Sequence, residues 1–409
     1  MTDICIHGTG FVGQTLALHL ATNGFRVALL SDHATSAAPA PLDIRAFALN
    51  QSSKALLEAV NAWPSGSAAT PVRAMSVYGD LSGRLQFECC AAQNGNVNLN
   101  VNLNVNVNEN HNDNQDGQDR ALNWIVDVPA LAQRLDKQVA AQPRIVCLAS
   151  KDAPEATLHV ICEGKHSQLR AQLGIQSETI LYPQHAIAAR LLCEQPHEHI
   201  ARQWFNERGE VLALLPLGGS GGVNGHEVAL VWSLDTARAK EMMSRSPADF
   251  CTALQAACGQ ALGTMSLSSS LALWPLQLTR IEQWSGEATW PQKPAQRWVL
   301  AGDAAHAVHP LAGQGLNLGL GDARALVRVL TGLLSPAGTF QPAPSLLMKT
   351  LRRYARERQA AASAVAATTD GLHLLFANGN PAIGQLRNGG MNALNRFTSL
   401  KNLLIRKAQ

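Results

Sequence analysis

Two glycine-rich segments, each between a predicted strand and a predicted helix, are the parts of this sequence best suited to bind a phosphate-containing cofactor. The first, Gly8–Gly13 (GTGFVG), follows the apolar strand 3–7 and leads into a helix predicted over 13–22. Glycines at this spacing allow a tight turn, close approach of the backbone to a pyrophosphate and close packing of helix on strand. The helix N-terminus then directs amide groups at the phosphates. The pattern predicts dinucleotide binding, with a purely structural glycine turn as the alternative.

Asp32 extends this first motif. It lies 24 residues after Gly8, at the end of a second predicted strand, 27–30. A carboxylate at that place accepts hydrogen bonds from ribose hydroxyl groups. Strand, helix and strand together therefore predict one βαβ unit with a nucleotide at its edge.

The second glycine-rich segment, 301–320, passes from a strand at Trp298–Leu300 into a helix predicted over 315–332. It contains His306 and His309, three residues apart. Because no cysteine or carboxylate cluster accompanies them, we interpret both as packing or hydrogen-bonding residues and predict no metal site.

Composition narrows the class of protein. The chain has 409 residues, 46% of them hydrophobic, which predicts two or three globular domains. Its net charge of +3 argues against a nucleic-acid partner. Eight cysteines without a CxxC pair predict reduced thiols rather than zinc or disulfides. Neither a long apolar run nor a signal peptide is evident, so we expect a cytoplasmic location.

Four segments in chain order resemble the motif set of the class A flavoprotein aromatic monooxygenases, which have the p-hydroxybenzoate hydroxylase fold. They are Gly8–Gly13, 43–49 (DIRAFAL), 160–170 (VICEGKHSQLR) and 302–317. Within that class the sequence is most similar to the ubiquinone-biosynthesis hydroxylases. The segments that carry this closer likeness are 182–187, 214–217, 231–233, 274–276 and 309–319.

The resemblance implies an α/β architecture. A Rossmann-like FAD-binding domain would comprise 1–72, 120–178 and 292–345. A second, mainly antiparallel β-sheet domain for the substrate would comprise 73–119 and 179–291. Residues 346–409 would form a C-terminal helical segment.

The resemblance also implies roles for individual residues. Gly8, Gly10, Gly13 and Asp32 would hold the ADP half of FAD, Arg45 would reach the middle of the cofactor, and Asp303, after Gly302, would bind the ribityl chain. Pro310 and the backbone of Gly313, Gly315, Leu316 and Asn317 would edge the isoalloxazine, where a helix N-terminus favours negative charge on reduced flavin. No catalytic side chain is assigned, with His309 and Pro310 as flavin-edge candidates. Leu215, Trp232 and Trp274 are the substrate-contact candidates.

Two departures from the family pattern matter. The family's Asp-Gly motif stands here as Glu163-Gly164, one methylene longer, so a changed contact of that carboxylate near the cofactor cleft is expected. Glu163 and Gly302 are also cofactor-binding candidates. The arginine that often precedes the Pro-Leu pair is absent before Pro275. The sequence therefore leaves the polarity of the substrate pocket open, and an apolar pocket would suit a prenylated ring.

The implied reaction is hydroxylation of a polyprenylated phenol in ubiquinone biosynthesis, through a flavin hydroperoxide formed with O2. NADPH or NADH would bind transiently, because the sequence shows one dinucleotide motif; another redox protein is the alternative donor. Two other functions stand beside this one. The protein would hydroxylate a small soluble aromatic acid, anchored by Arg190, Arg202 or Arg280, or it would be a flavin-binding, non-catalytic component of a biosynthetic complex.

Three segments need a separate interpretation. The Asn-rich insertion 94–116 has Asn at every even position to 114, which favours a surface loop over an additional edge strand. Gly218–Gly222 joins two predicted strands and lacks a following Lys-Ser/Thr pair, which favours a hairpin loop over a phosphate loop. The tail after Asp370 is basic and amphipathic. It predicts either a peripheral contact with the inner face of the membrane, within a biosynthetic complex, or a helix packed on its own domain.

Overall fold

A computed structural model of the chain describes residues 2–31, 43–80, 83–89, 121–219, 225–289, 295–307, 315–377, 384, 388–392 and 395. The strands are β1 (Thr2–His7), β2 (Val27–Ser31), β3 (Ala46–Leu49), β4 (Ala69–Val72), β5 (Ala74–Tyr78), β6 (Arg84–Glu88), β7 (Asn123–Asp127), β8 (Ile145–Ala149), β9 (Ala156–Ile161), β10 (Ser177–Cys193), β11 (Ile200–Phe205), β12 (Val211–Leu217), β13 (Glu227–Asp235), β14 (Met265–Leu267), β15 (Ala272–Ile281), β16 (Ser285–Thr289) and β17 (Ala295–Leu300). The helices are α1 (Phe11–Thr22), α2 (Gln51–Glu58), α3 (Val128–Ala141), α4 (Gln168–Gln172), α5 (Thr236–Ser244), α6 (Pro247–Ala257), α7 (Gly315–Thr331) and α8 (Pro344–Ala377).

The first sheet has six strands in the order β16-β17-β9-β1-β2-β8. The pairings from β17 through to β8 are parallel, and β16 adds an antiparallel edge. β1 lies between β2 and β9, so Ile4 and Ile6 are fully buried against the helices. The predicted Rossmann-like sheet is confirmed. The predicted boundary at 291 differs from the structure in one respect, because β16 lies before it and pairs within this sheet.

The second sheet has eight strands and is mainly antiparallel, in the order β14-β10-β13-β12-β11-β5-β6, with β15 also paired to β10. A third sheet of three strands, β3-β7-β4, lies between the other two. Alternate residues of β7 explain this placement: Trp124 and Val126 belong to the core of the first domain, whereas Ile125 packs with Leu217 and Ala229 of the large sheet. The small sheet is therefore a shared layer that joins both parts of the molecule.

Helices α5 and α6 cover one face of the large sheet. The residues of β10 and β13 on that face form one core with Phe250 and Leu254 of α6. The other face turns toward the small sheet, and from it the side chain of Arg190 extends to the carbonyl oxygen of Ile44 and the carboxylate of Asp127. Strands β12 and β13 are antiparallel, and their last paired residues, Leu217 and Glu227, lie on either side of the Gly218–Gly222 segment. This arrangement is the one that a hairpin loop requires.

The open edge of the large sheet is covered by asparagine side chains from the C-terminal segment. β6 is the edge strand, and unpaired amide groups at such an edge would otherwise bind another strand. Met391 also packs beside the small core around Val77 and Leu85. The hydrogen bonds run from Gly83 N to Asn388 Oδ1 (2.8 Å), from Arg84 N to Asn392 Oδ1 (3.0 Å) and from Gln86 N to Asn395 Oδ1 (3.1 Å).

Three predicted features fall wholly or partly outside the described residues. They are Asp32, the Asn-rich insertion and the basic tail beyond 395. In the part of the chain that the structure describes, no disulfide joins any cysteines, and burial raises the pKa of the Cys193 thiol to about 12. Every helix within the same residues falls short of the length and apolarity needed to cross a bilayer.

Candidate active site

The glycine turn after β1 brings α1 close to the ends of β1 and β9. Gly8 has φ +111°, and a Cβ built there would lie 2.5 Å from the carbonyl oxygen of Cys162. A Cβ at Gly13 would lie 2.1 Å from the carbonyl oxygen of Gly8. Both positions therefore require glycine, since a side chain would push the helix away from the sheet.

Gly10 differs from these two glycines because it faces open space. It is the N-cap of α1, and no side chain among the described residues caps the helix there. A Cβ at Gly10 would meet no described atom within 4 Å. The amide groups at the start of α1 are thus accessible and carry the positive end of the helix dipole. This cradle fits the diphosphate of FAD.

Val12 brings the two glycine-rich segments together although they lie far apart in the sequence. Its side chain lies between α7 and the turn at Gly302, where a Cβ at Gly319 would approach Val12 Cγ2 to 2.6 Å. Gly302 itself has φ +64° and would place a Cβ 3.2 Å from the same methyl group. The small residues of the second segment therefore let α1 and α7 cross closely, and the two predicted cofactor motifs form one site.

Arg45 lies between the second glycine-rich segment and the large sheet. Its guanidinium forms two-pronged hydrogen bonds with Asp43, the shortest 2.6 Å, and its side chain remains 44% exposed. Hydrogen bonds to Asp43 raise the pKa of Arg45, and the charge of Asp303 raises it further. The guanidinium carbon also lies 6.0 Å from the centre of the Trp274 ring. Arg45, Asp303 and Trp274 thus surround one region.

Asn317 supports this region through its side chain rather than through backbone contacts alone. Its Oδ1 accepts hydrogen bonds from Asn50 N (3.1 Å) and Ser53 Oγ (2.8 Å). Its Nδ2 donates to the carbonyl oxygen of Ala48 at 2.8 Å. The first turn of α7 is therefore tied to the start of α2, while neighbouring Leu316 packs against the core.

The Glu163 carboxylate is engaged within its own loop. Its Oε2 accepts hydrogen bonds from Ser167 Oγ at 2.6 Å and Leu169 N at 3.0 Å, which ties it to the start of α4. The buried Arg170 then donates to the carbonyl oxygen of Ala304 at 3.0 Å. Burial lowers the pKa of Arg170, and Glu163 opposes that shift. The segment therefore supports the 302–304 turn from outside.

The three substrate-contact candidates do not share one face. Leu215 is half-buried beside the core shared with the small sheet, and Trp274 is 37% exposed near Arg45. Trp232 lies on the opposite face of the large sheet, 1% exposed, with its ring 6.2 Å from that of Phe250. Trp232 is a core residue under α6, so we leave it out of the proposed substrate surface. Of the cofactor and flavin-edge candidates, Asp32, His309, Pro310 and Gly313 lie outside the described residues.

The arginines considered as anchors for a soluble aromatic acid are mostly engaged by the protein. Arg190 pairs with Asp127 at 2.6 Å and donates to the carbonyl oxygen of Ile44 at 3.2 Å. Arg202 donates to the carbonyl oxygen of His197 at 3.1 Å. Arg280 is exposed on β15. The contacts of Arg190 and Arg202 give no support to a carboxylate anchor.

A buried charge network, which no sequence motif predicted, lies behind the second glycine-rich segment. Asp322 on α7 is fully buried. Burial alone would raise the pKa of Asp322, but the charges and hydrogen bonds of His306 and Arg358 outweigh burial and lower it. An aspartate among apolar residues of a predicted helix was the available signal. The Asp322 carboxylate accepts from Gly302 N (2.9 Å) and Arg358 Nε (2.7 Å) and lies 2.7 Å from His306 Nε2.

Comparisons with known proteins identify the family of this chain. The family described as FAD binding domain matches residues 131–369. The 3-demethoxyubiquinol 3-hydroxylase of Escherichia coli is 26% identical, over 100% of this chain and 98% of that protein. The ubiquinone hydroxylase UbiL of Rhodospirillum rubrum is 27% identical, over 100% and 89% of the two chains.

A solved structure shows the same fold. The p-nitrophenol 4-monooxygenase PnpA from Pseudomonas putida superposes with a TM-score of 0.67 at 14% identity, and the match covers 100% of this chain and 97% of that one. The predicted resemblance is thereby confirmed at the level of the family and the class of enzyme. Because the family match spans more than half of the sequence, the chain belongs to the FAD binding domain family and is an FAD-dependent aromatic monooxygenase.

Proposed function

We propose that this protein hydroxylates the aromatic ring of a polyprenylated phenol in ubiquinone biosynthesis, with O2 as co-substrate and NADPH or NADH as electron donor. The observation that carries the proposal is the likeness of the whole chain to two proteins named as ubiquinone or demethoxyubiquinol hydroxylases. The open space at Gly10, at the start of α1, supports the cofactor part of the proposal independently of those names.

Bound FAD, once reduced, supplies the two electrons needed to insert one atom of O2 into the ring while the other leaves as water. The chain's own residues bind and orient. The amides at the start of α1 hold the diphosphate, and Asp303 and Arg45 hold the ribityl chain and the middle of the cofactor. The first turn of α7, with Gly315 and Leu316, offers amide groups where negative charge develops. Asp32, Pro310 and Gly313 complete the proposed set.

The substrate surface is proposed to be apolar. Ala46, Ala48 and Leu215 pack around one core between the small and large sheets, and Trp274 covers Arg45 from the large sheet. An apolar wall excludes water from the reacting ring and accepts a prenylated phenol without an ion pair. Because Asp127 already binds Arg190, that cation is not available for a carboxylated substrate.

The first test is deletion of the gene in its host, followed by mass spectrometry of quinone lipids from cells grown with and without oxygen. We expect an under-hydroxylated prenylphenol to accumulate in aerated cells, because the step consumes O2. The wild-type gene should restore ubiquinone, whereas Asp303→Asn, which removes the charge at the ribityl contact, should not. Unchanged quinone lipids in a host without a second hydroxylase would contradict the proposal.

We also propose that the basic tail 396–409 brings the enzyme to the membrane that holds its substrate, as part of a biosynthetic complex. No acidic residue follows Asp370 in the sequence. Basic residues beside apolar ones favour an anionic lipid surface. The tail carries Arg396, Lys401, Arg406 and Lys407, and Arg387 precedes it.

Two truncations separate this role from folding. A chain ending at residue 395 keeps the asparagine contacts with β6, so we expect an unchanged thermal unfolding temperature and weaker binding to anionic lipid vesicles. A chain ending at residue 385 loses Asn388, Asn392 and Asn395, so we expect a lower unfolding temperature and self-association through the uncovered edge. If the chain that ends at residue 395 binds vesicles as strongly as the full-length protein does, the tail has no role in membrane binding.

A further inference from the structure

A remote arginine on α8 is connected to the cofactor turn by a chain of buried charges. Arg358 is only 12% exposed, and its Nε donates to Asp322 Oδ1 at 2.7 Å. The other carboxylate oxygen, Asp322 Oδ2, accepts from the backbone N–H of Gly302 at 2.9 Å. Asp303, the proposed ribityl contact, is the next residue. Two hydrogen bonds, both to the carboxylate of Asp322, thus connect α8 to the turn that contains the proposed FAD contact.

The guanidinium of Arg358 is held in one place on α7. Its Nη2 donates to the carbonyl oxygen of Leu318 at 3.2 Å. It lies over Gly321, where a Cβ would come within 2.9 Å of Nη2. The glycine therefore leaves the space that the guanidinium occupies, and even a methyl group there would displace it.

We propose that Arg358 is a positioning residue for the FAD site: from α8 it fixes Asp322, and Asp322 fixes the Gly302–Asp303 turn that receives the cofactor. The inference rests on the proposed placement of the ribityl chain at Asp303. Arg170 holds the same turn from the other side, through the carbonyl oxygen of Ala304. A turn held on both sides is pre-organised, so it loses little entropy when the ligand binds.

Three other groups lie near the Asp322 carboxylate. His306 lies in the turn and stacks on Trp284, with ring centres 5.3 Å apart. Tyr354 of α8 and Cys162 after β9 also lie near, and burial raises the pKa of both groups. Neither therefore ionises near neutral pH. Without Arg358, His306 would be the one side chain, among the residues described, still in hydrogen-bond contact with the Asp322 carboxylate.

The experiment is titration of the apo-protein with FAD, followed by flavin fluorescence, for wild type and Arg358→Met. We expect the dissociation constant of the variant to rise on the order of tenfold. Arg328→Met is the matched control, because Arg328 forms an exposed ion pair with Glu357 between the same two helices at 2.6 Å.

Gly321→Ala is the second variant, needed if Arg358→Met does not fold. It keeps every charge, and alanine favours the helix, which offsets part of the cost of moving the guanidinium, so the apo-protein should lose less thermal stability than Arg358→Met does. Its FAD dissociation constant should nevertheless rise, because the methyl group displaces the guanidinium. FAD binding equal to wild type in both variants would overturn the proposal, as would an equal loss in Arg328→Met.

Asp303→Asn distinguishes this inference from the proposed function. If Asp303→Asn weakens FAD binding while Arg358→Met and Gly321→Ala do not, the placement of FAD stands and the positioning role of Arg358 fails. If Asp303→Asn binds FAD as wild type does, the placement of the ribityl chain itself is wrong.

Discussion

Gly13→Ala is expected to destabilise the apo-protein and abolish FAD binding, whereas Gly10→Ala is expected to weaken FAD binding with the apo-protein intact. At Gly13 the new methyl group would lie 2.1 Å from the carbonyl oxygen of Gly8, and backbone cannot yield as a side-chain end does. We expect a loss of about 3 kcal/mol or more in the free energy of unfolding, at the upper end of overpacking costs. Urea unfolding of the apo-protein measures it.

The matched variant Gly10→Ala isolates the cofactor from the fold. Gly10 has φ −73° and ψ 177°, which alanine adopts readily, and its Cβ would enter open space. The free energy of unfolding should change by less than about 1 kcal/mol. The methyl group would occupy the cradle proposed for the diphosphate, so FAD affinity should fall at least about tenfold, equivalent to 1.4 kcal/mol. Unchanged affinity would place the diphosphate elsewhere.

The cofactor motifs were predictable from sequence because their signals are local. A strand, a glycine turn and a helix lie within the first 22 residues, and each has its own pattern of residue types. The same holds for the strand before Gly302 and the helix that begins at Gly315. The crossing of α1 and α7 at Val12 was not predictable, since no local pattern indicates which glycine of one segment receives a side chain of the other.

Trp232 shows the limit of strand periodicity. Every residue of β13 from Val228 to Leu230 is buried, because helices cover one face and the small sheet covers the other. A strand buried on both faces has no polar side to mark its orientation. The sequence therefore showed that successive residues of β13 point to opposite faces of the sheet, but it did not show which of the two faces lies toward the first domain.

The contacts of Glu163 could not be predicted from the sequence either. Sequence indicated an additional methylene in the family's carboxylate but not its partners. In the structure Ser167 and Leu169 take up that carboxylate. These contacts join residues only a few positions apart in the sequence, but they depend on the turn that precedes α4. Helix α4 has five residues, which is too short for its sequence to show a helical period.

Asp322→Asn is expected to lower the free energy of unfolding of the apo-protein by about 3–5 kcal/mol, the usual cost of removing one partner of a buried ion pair. Asparagine has nearly the same shape as aspartate, so the loss of stability comes from the changed charge and hydrogen-bonding groups. Its amide nitrogen must face either Gly302 N–H and His306 or the Nε–H of Arg358, which places donor against donor. Glu357→Gln, in the exposed pair with Arg328, is the control and should cost less than about 1 kcal/mol.

The pH dependence of this difference tests the cause. The pKa of Asp322 is lowered in the folded protein by His306 and Arg358 despite burial. Its charge therefore stabilises the fold above the unfolded-state pKa of about 3.9, and that contribution is lost as the pH falls through the lower, folded-state value. The gap between wild type and Asp322→Asn should be full near neutral pH and shrink in acid. A gap that stays constant down to about pH 3 would mean that the mismatched amide donor, and not the lost charge, causes the destabilisation, and Arg358 would then have no anion through which to hold the Gly302 turn.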